Sequence, residues 1–260
     1  MSKKMWSICA GVCALALSTL CAIPSAAQES EVKEKPALYS YIANWQIPRA
    51  QWGEMEKANG ADKAVLDKAL ADGTIVGYGN DETLIHQADG ITHDNWWSAM
   101  SIAGLIKVLD AFYASGTVTS PALARATKHS DALLVSHYYN WHSGAYKTSY
   151  THVGSYKLKA DAPDDAVDAV SKQIVVPLLE KLLASGAIRE YEVDTEAIHT
   201  TSPDRFWIVY VASSPEGLDT VNAALAESIK AHPLDGVAFG SITESDAHRD
   251  ELIKGEGVFK

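Results

Sequence analysis

The chain has 260 residues, 47% of them hydrophobic, with 22 basic against 33 acidic side chains and a net charge of −11. That is enough apolar mass for one large or two small domains. The acidic balance repels nucleic acid and anionic lipid surfaces, so partners of those classes are not expected.

Taken in chain order, residues 1–27 read differently from the rest. Lys3 and Lys4 form a basic start, an apolar stretch is densest from Ile8 to Leu17, and Pro24 precedes Ser25-Ala26-Ala27. This is the layout of a secretory signal, with small side chains where the peptidase cuts. It predicts cleavage before Gln28 and an exported protein, periplasmic or extracellular, free of the membrane after cleavage. An uncleaved anchor is the competing reading, since Met5 to Ile23 nearly spans a bilayer, but a cleavage site follows at once. A lipoprotein signal wants a small residue before its cysteine, and here Leu20 precedes Cys21 and Val12 precedes Cys13. All three cysteines, Cys9, Cys13 and Cys21, lie in this leader, so the mature chain has no disulfide and no cysteine metal site. Residues 28–36 are polar and end in Pro36, as a flexible lead-in would.

The remainder repeats itself. Leu66 to His86 and Leu179 to His199 are identical at 10 of 21 positions at a constant offset of 113. Chance at average residue usage gives about one or two. With three residues dropped, Thr92–Trp97 then answers Ser202–Trp207, and Gly104-Leu105 and Gly217-Leu218 lie in the segments that follow.

Each copy reads as the same elements. A first strand is expected near Leu38–Trp45 and again near His152–Leu158. Pro48 and Pro163 stand where helices would start. Val167, Val170, Ile174, Leu178 and Leu182 keep a helical apolar stripe. Breaks are expected at Gly60 and at Pro177, and Gly73 and Gly186 suit left-handed helix ends. Hairpins follow, Ile75–His86 with Trp96–Ile102, and Ile188–His199 with Phe206–Ser213 through a turn at Ser202-Pro203-Asp204. Second helices are expected at Leu105–Ser115 and Glu216–Lys230, and closing strands at Ala132–Tyr139 and Val237–Thr243.

The order β-α-β-β-α-β, twice, is the split βαβ plan of an α+β, ferredoxin-like unit. It divides the mature chain into repeats 37–145 and 146–260. Each unit has helices on one sheet face only, so the two sheets are expected to cover each other. In element order and hairpin pattern the chain resembles the dimeric α+β barrel superfamily, with both barrel halves fused in tandem.

The chemistry-bearing residues are few. Gly77-Tyr78-Gly79 is no dinucleotide fingerprint, and there is no P-loop, HExxH or GxSxG. Tyr78 and Tyr191, Asp81 and Asp194, His86 and His199, and Trp97 and Trp207 recur in both copies. The shared fold explains aromatic residues at strand positions, whereas a repeated His and Asp on a hairpin is harder to assign to packing. Gly77 and Gly79 become Glu190 and Glu192 in the second copy, each pair on one strand face. If that face points inward, a lopsided cavity between the sheets results, opened by the glycines and bordered by Glu190, His86, His199 and Trp97, with Tyr78 and Tyr191 as further ligand contacts. If it points outward, the glutamates are only solvated. Spacings such as that of His137 and His142 give no metal pattern.

The expected activity is binding of a small apolar or aromatic molecule between the repeats. The resemblance implies an alternative, a cofactor-free or haem-dependent oxidoreductase similar to antibiotic-biosynthesis-type monooxygenases. Any haem would be non-covalent, with one axial His among the nine, because no CxxCH motif is present. A structural protein without a ligand is the third reading.

Overall fold

The computed structural model describes residues 32–117, 120–200 and 203–260. The expected leader, its cleavage point and residues 28–31 of the lead-in lie outside the described residues, as does Ser202 of the second hairpin turn. The elements run β1 (Leu38–Gln46), α1 (Trp52–Ala71), β2 (Gly77–Thr83), β3 (His93–Ala99), α2 (Ile102–Ser115) and β4 (Lys128–Trp141). They continue with β5 (Gly144–Lys157), α3 (Ala166–Val170), α4 (Val176–Ala184), β6 (Ile188–Glu196), β7 (Arg205–Ala212), α5 (Pro215–Ala231), α6 (Pro233–Ile242) and β8 (Arg249–Phe259).

The eight strands close into one antiparallel barrel in the order β1-β3-β2-β8-β5-β7-β6-β4. Strands of the first half are neighbours in the order β4-β1-β3-β2, and strands of the second in the order β8-β5-β7-β6. Two seams join them, β2 with β8 and β4 with β6. Closure removes every sheet edge, which an eight-stranded open sheet would expose. The helices pack outside. Leu66 and Ala69 of α1 and Leu105, Val108 and Phe112 of α2 bury against Tyr78, Trp97 and Leu133. Leu179, Leu182 and Leu183 of α4 and Val221 of α5 do the same against Tyr138, Tyr191, Val193, Phe206 and Tyr210. Each such leucine contributes about 1.5–3 kcal/mol by leaving water.

The offset of 113 holds in three dimensions. The Tyr78 hydroxyl donates to Asp67 on α1, and the Tyr191 hydroxyl donates to Glu180 on α4. Ser101 and Ser214 cap α2 and α5, each accepting from a glycine N–H three residues on, Gly104 and Gly217. Those glycines let the helix start press on the preceding loop, since a Cβ would lie 2.7 Å from the Thr74 carbonyl in one case and 2.6 Å from that of Ala187 in the other. Tyr78 faces Trp97 across its hairpin, and Tyr191 faces Tyr210. The counterpart of Trp97 is therefore Tyr210, not Trp207. The expected three-residue gap is absent because the two hairpins have equal lengths, and the Trp match was a coincidence of type.

Three further expectations change. The segment expected as the last strand, Val237–Thr243, is mostly α6, started by Pro233 in its first turn. The true closing strand is β8, disguised by its charges and by Gly255 and Gly257. Gly60 does not break α1, which runs on from Trp52 to Ala71. The second helix does deform before Pro177, through a π turn at Ser171–Val175. Strand β5 begins at Gly144, earlier than expected, so the expected boundary at 145/146 falls just inside it. In the lead-in, the Lys35 N–H donates to the His137 carbonyl at 2.9 Å and Lys172 pairs with Glu34 at 2.8 Å. Among the described residues no helix is long and apolar enough to cross a membrane.

Candidate functional site

Strand alternation sends every second side chain into the barrel. In β6 these are Glu190, Glu192, Asp194 and Glu196, while Tyr191 and Val193 face the helices. A chamber of about 440 Å³ lies inside. Trp96, Phe259, Trp141 and Tyr139 stack in series at one end, with ring centroids 5.2, 5.1 and 5.5 Å apart. Near the other end the lining includes Asn44, Asp89–Ile91 and Ser130–Ala132. Apolar side chains line it from several strands, Ile42 of β1, Leu134 of β4, Trp207, Val209 and Val211 of β7 and Ile253 of β8.

The charged part of the lining is wholly acidic. Asp81, Asp94, Glu190, Glu192, Asp194 and Glu251 all border the chamber, and no lysine, arginine or histidine is among its lining residues. Asp81 and Asp94 stand directly opposite each other across β2 and β3, where two charges would repel. Burial raises the pKa of all six. Asp81 is pushed up to about 7, mainly by burial and further by Glu256, against a hydrogen bond from the Trp96 indole at 3.1 Å. Burial first, then the charges of Asp81 and Glu251, holds Asp94 well above the usual carboxylate range. Burial and the neighbouring Glu192 do the same to Glu190 and Asp194. Glu192 and Glu251 are raised by burial as well. Glu192 is also within 3.4 Å of the Ser40 hydroxyl, which in turn meets Ser98 at 2.7 Å. Two oxygens in this wall, Glu190 Oε2 and Asp194 Oδ1, are buried with no hydrogen-bond partner. Such a wall is stable only when its groups hold protons or face a cation. Carboxyls with raised pKa also suit proton transfer near neutral pH.

The sequence matches no family model and no curated protein. Solved structures do match it. A candidate monooxygenase from Fusobacterium nucleatum superposes with a TM-score of 0.64 at 7% identity, over 87% of this chain and 95% of that one. A candidate monooxygenase from Lactobacillus acidophilus gives 0.58 at 13% identity, over 84% and 93%. An anthrone oxidase-like protein gives 0.54 at 11% identity, over 85% and 92%. The fold is that of the dimeric α+β barrel.

Within this dimeric α+β barrel the residues singled out from sequence separate. Glu190 lines the chamber, and so do its repeat neighbours Glu192 and Asp194 and the matching Asp81. Trp97, Tyr78 and Tyr191 do not: they lie on the helix-facing side, where Trp97 donates its indole N–H to the Leu105 carbonyl at 3.2 Å. Tyr78 borders a separate outer cleft of about 580 Å³ beside α1 and β8. His86 and His199 are exposed on the segments after β2 and β6, away from the chamber. Alternation explains the split, since Tyr78 and Asp81 are an odd number of residues apart. The glycines open no void either. A Cβ at Gly77 would lie 2.5 Å from the Phe259 ring, and one at Gly79 2.6 Å from Trp96, so rings fill that space.

Sequence reasoning missed Asp94, Glu251 and Ser40. The legible signal was β6 itself. Its acids alternate with Tyr191 and Val193, and only the apolar set could meet helices.

A haem in the barrel does not fit. Haem iron is commonly held by an axial imidazole and its propionates favour cationic partners, whereas the lining residues include no histidine, lysine or arginine. Several histidines instead serve the surface: His142 Nε2 donates to the Leu183 carbonyl at 2.9 Å, and His129 stacks on Trp45 with centroids 3.6 Å apart. Among the described residues no group of three or more His, Cys, Asp or Glu is arranged to hold a metal ion.

Proposed function

We propose that the protein binds a small molecule inside its barrel, between two tandem ferredoxin-like halves spanning 37–145 and 146–260, after export and removal of residues 1–27. The observation that carries the reading is the chamber of about 440 Å³, which is within the usual size of ligand sites and is lined by apolar side chains together with acids that hold unpaired buried oxygens. The test is native mass spectrometry of the intact protein, beside an Ile42→Trp variant that fills the chamber. Wild type should carry excess mass and the filled variant, folded by circular dichroism, should not. Equal mass in both, or none in either, refutes the reading. N-terminal sequencing of exported material should begin at Gln28, and retention of Lys3 and Lys4 would refute export with cleavage.

The likeness to candidate monooxygenases and to an anthrone oxidase-like protein supports a second reading, an oxidoreductase acting on the bound molecule. Glu190, with its raised pKa and an unpaired oxygen, would then remove a proton from the substrate. Oxygen uptake with phenolic substrates, lost in Glu190→Gln, supports it; no uptake with any of them sets it aside.

A further inference from the structure

We propose that the chamber is a site for a linear diamine or polyamine, lying along β6 with its ammonium groups against Glu190, Glu192 and Asp194. This rests on the reading of the barrel as a binding chamber and names the ligand class.

Three observations converge. The first is position. Glu190, Glu192 and Asp194 occupy alternate places on one strand, so they form a row, spaced about 6.6 Å apart along the backbone. A tetramethylene spacer holds two ammonium groups at a comparable separation. A point ion requires ligands that converge, and no cluster of three or more His, Cys, Asp or Glu among the described residues does so.

The second is demand. Glu190 is 5% exposed and Asp194 2%, both line the chamber, and each holds one buried oxygen without any hydrogen-bond partner. A buried acceptor left unpaired is costly, and an ammonium supplies three donors and a charge at once. The groups facing Glu190 are Glu192 and Asp194 on its own strand, Asp81 from β2 and the Tyr146 phenol from β5. None of these brings a positive charge.

The third is the apolar surface beside the acids. Val211 and Val209 on β7 pair directly with Glu190 and Glu192, and with Ile253 on β8 they offer apolar surface for methylene groups. Trp96 and Trp207 add aromatic faces that attract cations. The chamber thus matches a chain of alternating charged and apolar segments better than it matches an anion or a compact polar molecule.

The experiment is isothermal titration of the full chain at neutral pH with 1,4-diaminobutane and spermidine. Butylamine, 1,4-butanediol and calcium chloride are the comparison ligands. The diamine should bind at least about tenfold more tightly than butylamine, equivalent to one further charge-assisted contact, and the diol should give no heat. Binding should release protons, so the measured heat should change with the ionisation enthalpy of the buffer. Glu190→Gln and Asp194→Asn remove charge while keeping shape, and each should weaken diamine binding at least about tenfold. Both should remain folded, because neutralising a buried unpaired carboxylate relieves its burial cost. The inference is overturned if the diol binds as well as the diamine, if calcium alone binds, or if folded Glu190→Gln and Asp194→Asn bind the diamine like wild type. A neutral aromatic molecule found by native mass spectrometry, with no amine binding, overturns the amine assignment and leaves the binding chamber standing. An empty protein that binds no amine overturns both.

Discussion

Replacing Asp81 by Asn tests whether the acidic interior is held by protons. The amide keeps the size of the carboxyl and an oxygen for the Trp96 indole N–H, 3.1 Å away in the native protein. A rise from 3.8 to about 7 corresponds to about 4 kcal/mol borne by the charged form once fully ionised. The sign follows from proton binding. An acid whose pKa is raised by folding keeps its proton in the native state after the unfolded chain has lost it. Stability is therefore greatest below about 3.8 and falls as pH rises through about 7. Asp94, Glu190, Glu192, Asp194 and Glu251 are raised in the same direction and steepen the fall. Urea unfolding of wild type and Asp81→Asn at about pH 5 and about pH 8 measures the effect. The variant should be the more stable at the higher pH, and its advantage should grow by about 2–3 kcal/mol between the two. Removing the Asp81 charge also relieves Asp94, which adds to the gain. An advantage equal at both pH values would show that Asp81 does not titrate between them, and the proton-held interior would fall with it.

Gly255→Ala should cost about 1–3 kcal/mol, because its Cβ would fall 1.5 Å from Asp81 Oδ1. Adding Asp81→Ala should recover part of that loss, and strict additivity in urea unfolding would refute the contact. Trp97→Ala should cost about 3–5 kcal/mol in the same assay, through lost packing on Phe112 and Leu105, while leaving ligand mass in native spectra unchanged. Ser101→Ala removes the cap of α2 and should cost about 1 kcal/mol, with Ser214→Ala matching it on α5; no loss in either refutes the capping role.

Much of the fold was legible because the sequence repeats at a constant offset. The offset of 113 carried the helix ends at Gly73 and Gly186, whose φ angles are 79° and 77°, and the paired tyrosines of β2 and β6. What stayed hidden was where one half departs from the other. Helix α6 has no clear apolar stripe, and it leaves Leu234 and Val237 exposed, so its sequence reads like a strand. β8 carries few of the branched residues that mark strands, since it must leave room for Asp81 over Gly255 and for Tyr146 over Gly257. The site was half legible. Glu190 was reachable from its face-mates, but Trp97 was assigned to the chamber because a repeated aromatic resembles a functional one. The direction of a strand side chain depends on which face meets helices, and a list of recurring residues does not encode that.

The joining of both barrel halves in one chain has a further consequence. In a pair of identical subunits every substitution appears twice, related by the two-fold axis, and a wall cannot change without its mirror position changing too. Here Gly79 on β2 and Glu192 on β6 hold equivalent places opposite Trp96 and Val209. One became a seat for an indole ring and the other an acid facing the cavity. Within one chain such positions are uncoupled, so a single-chain barrel is free to build a chamber whose two sides differ.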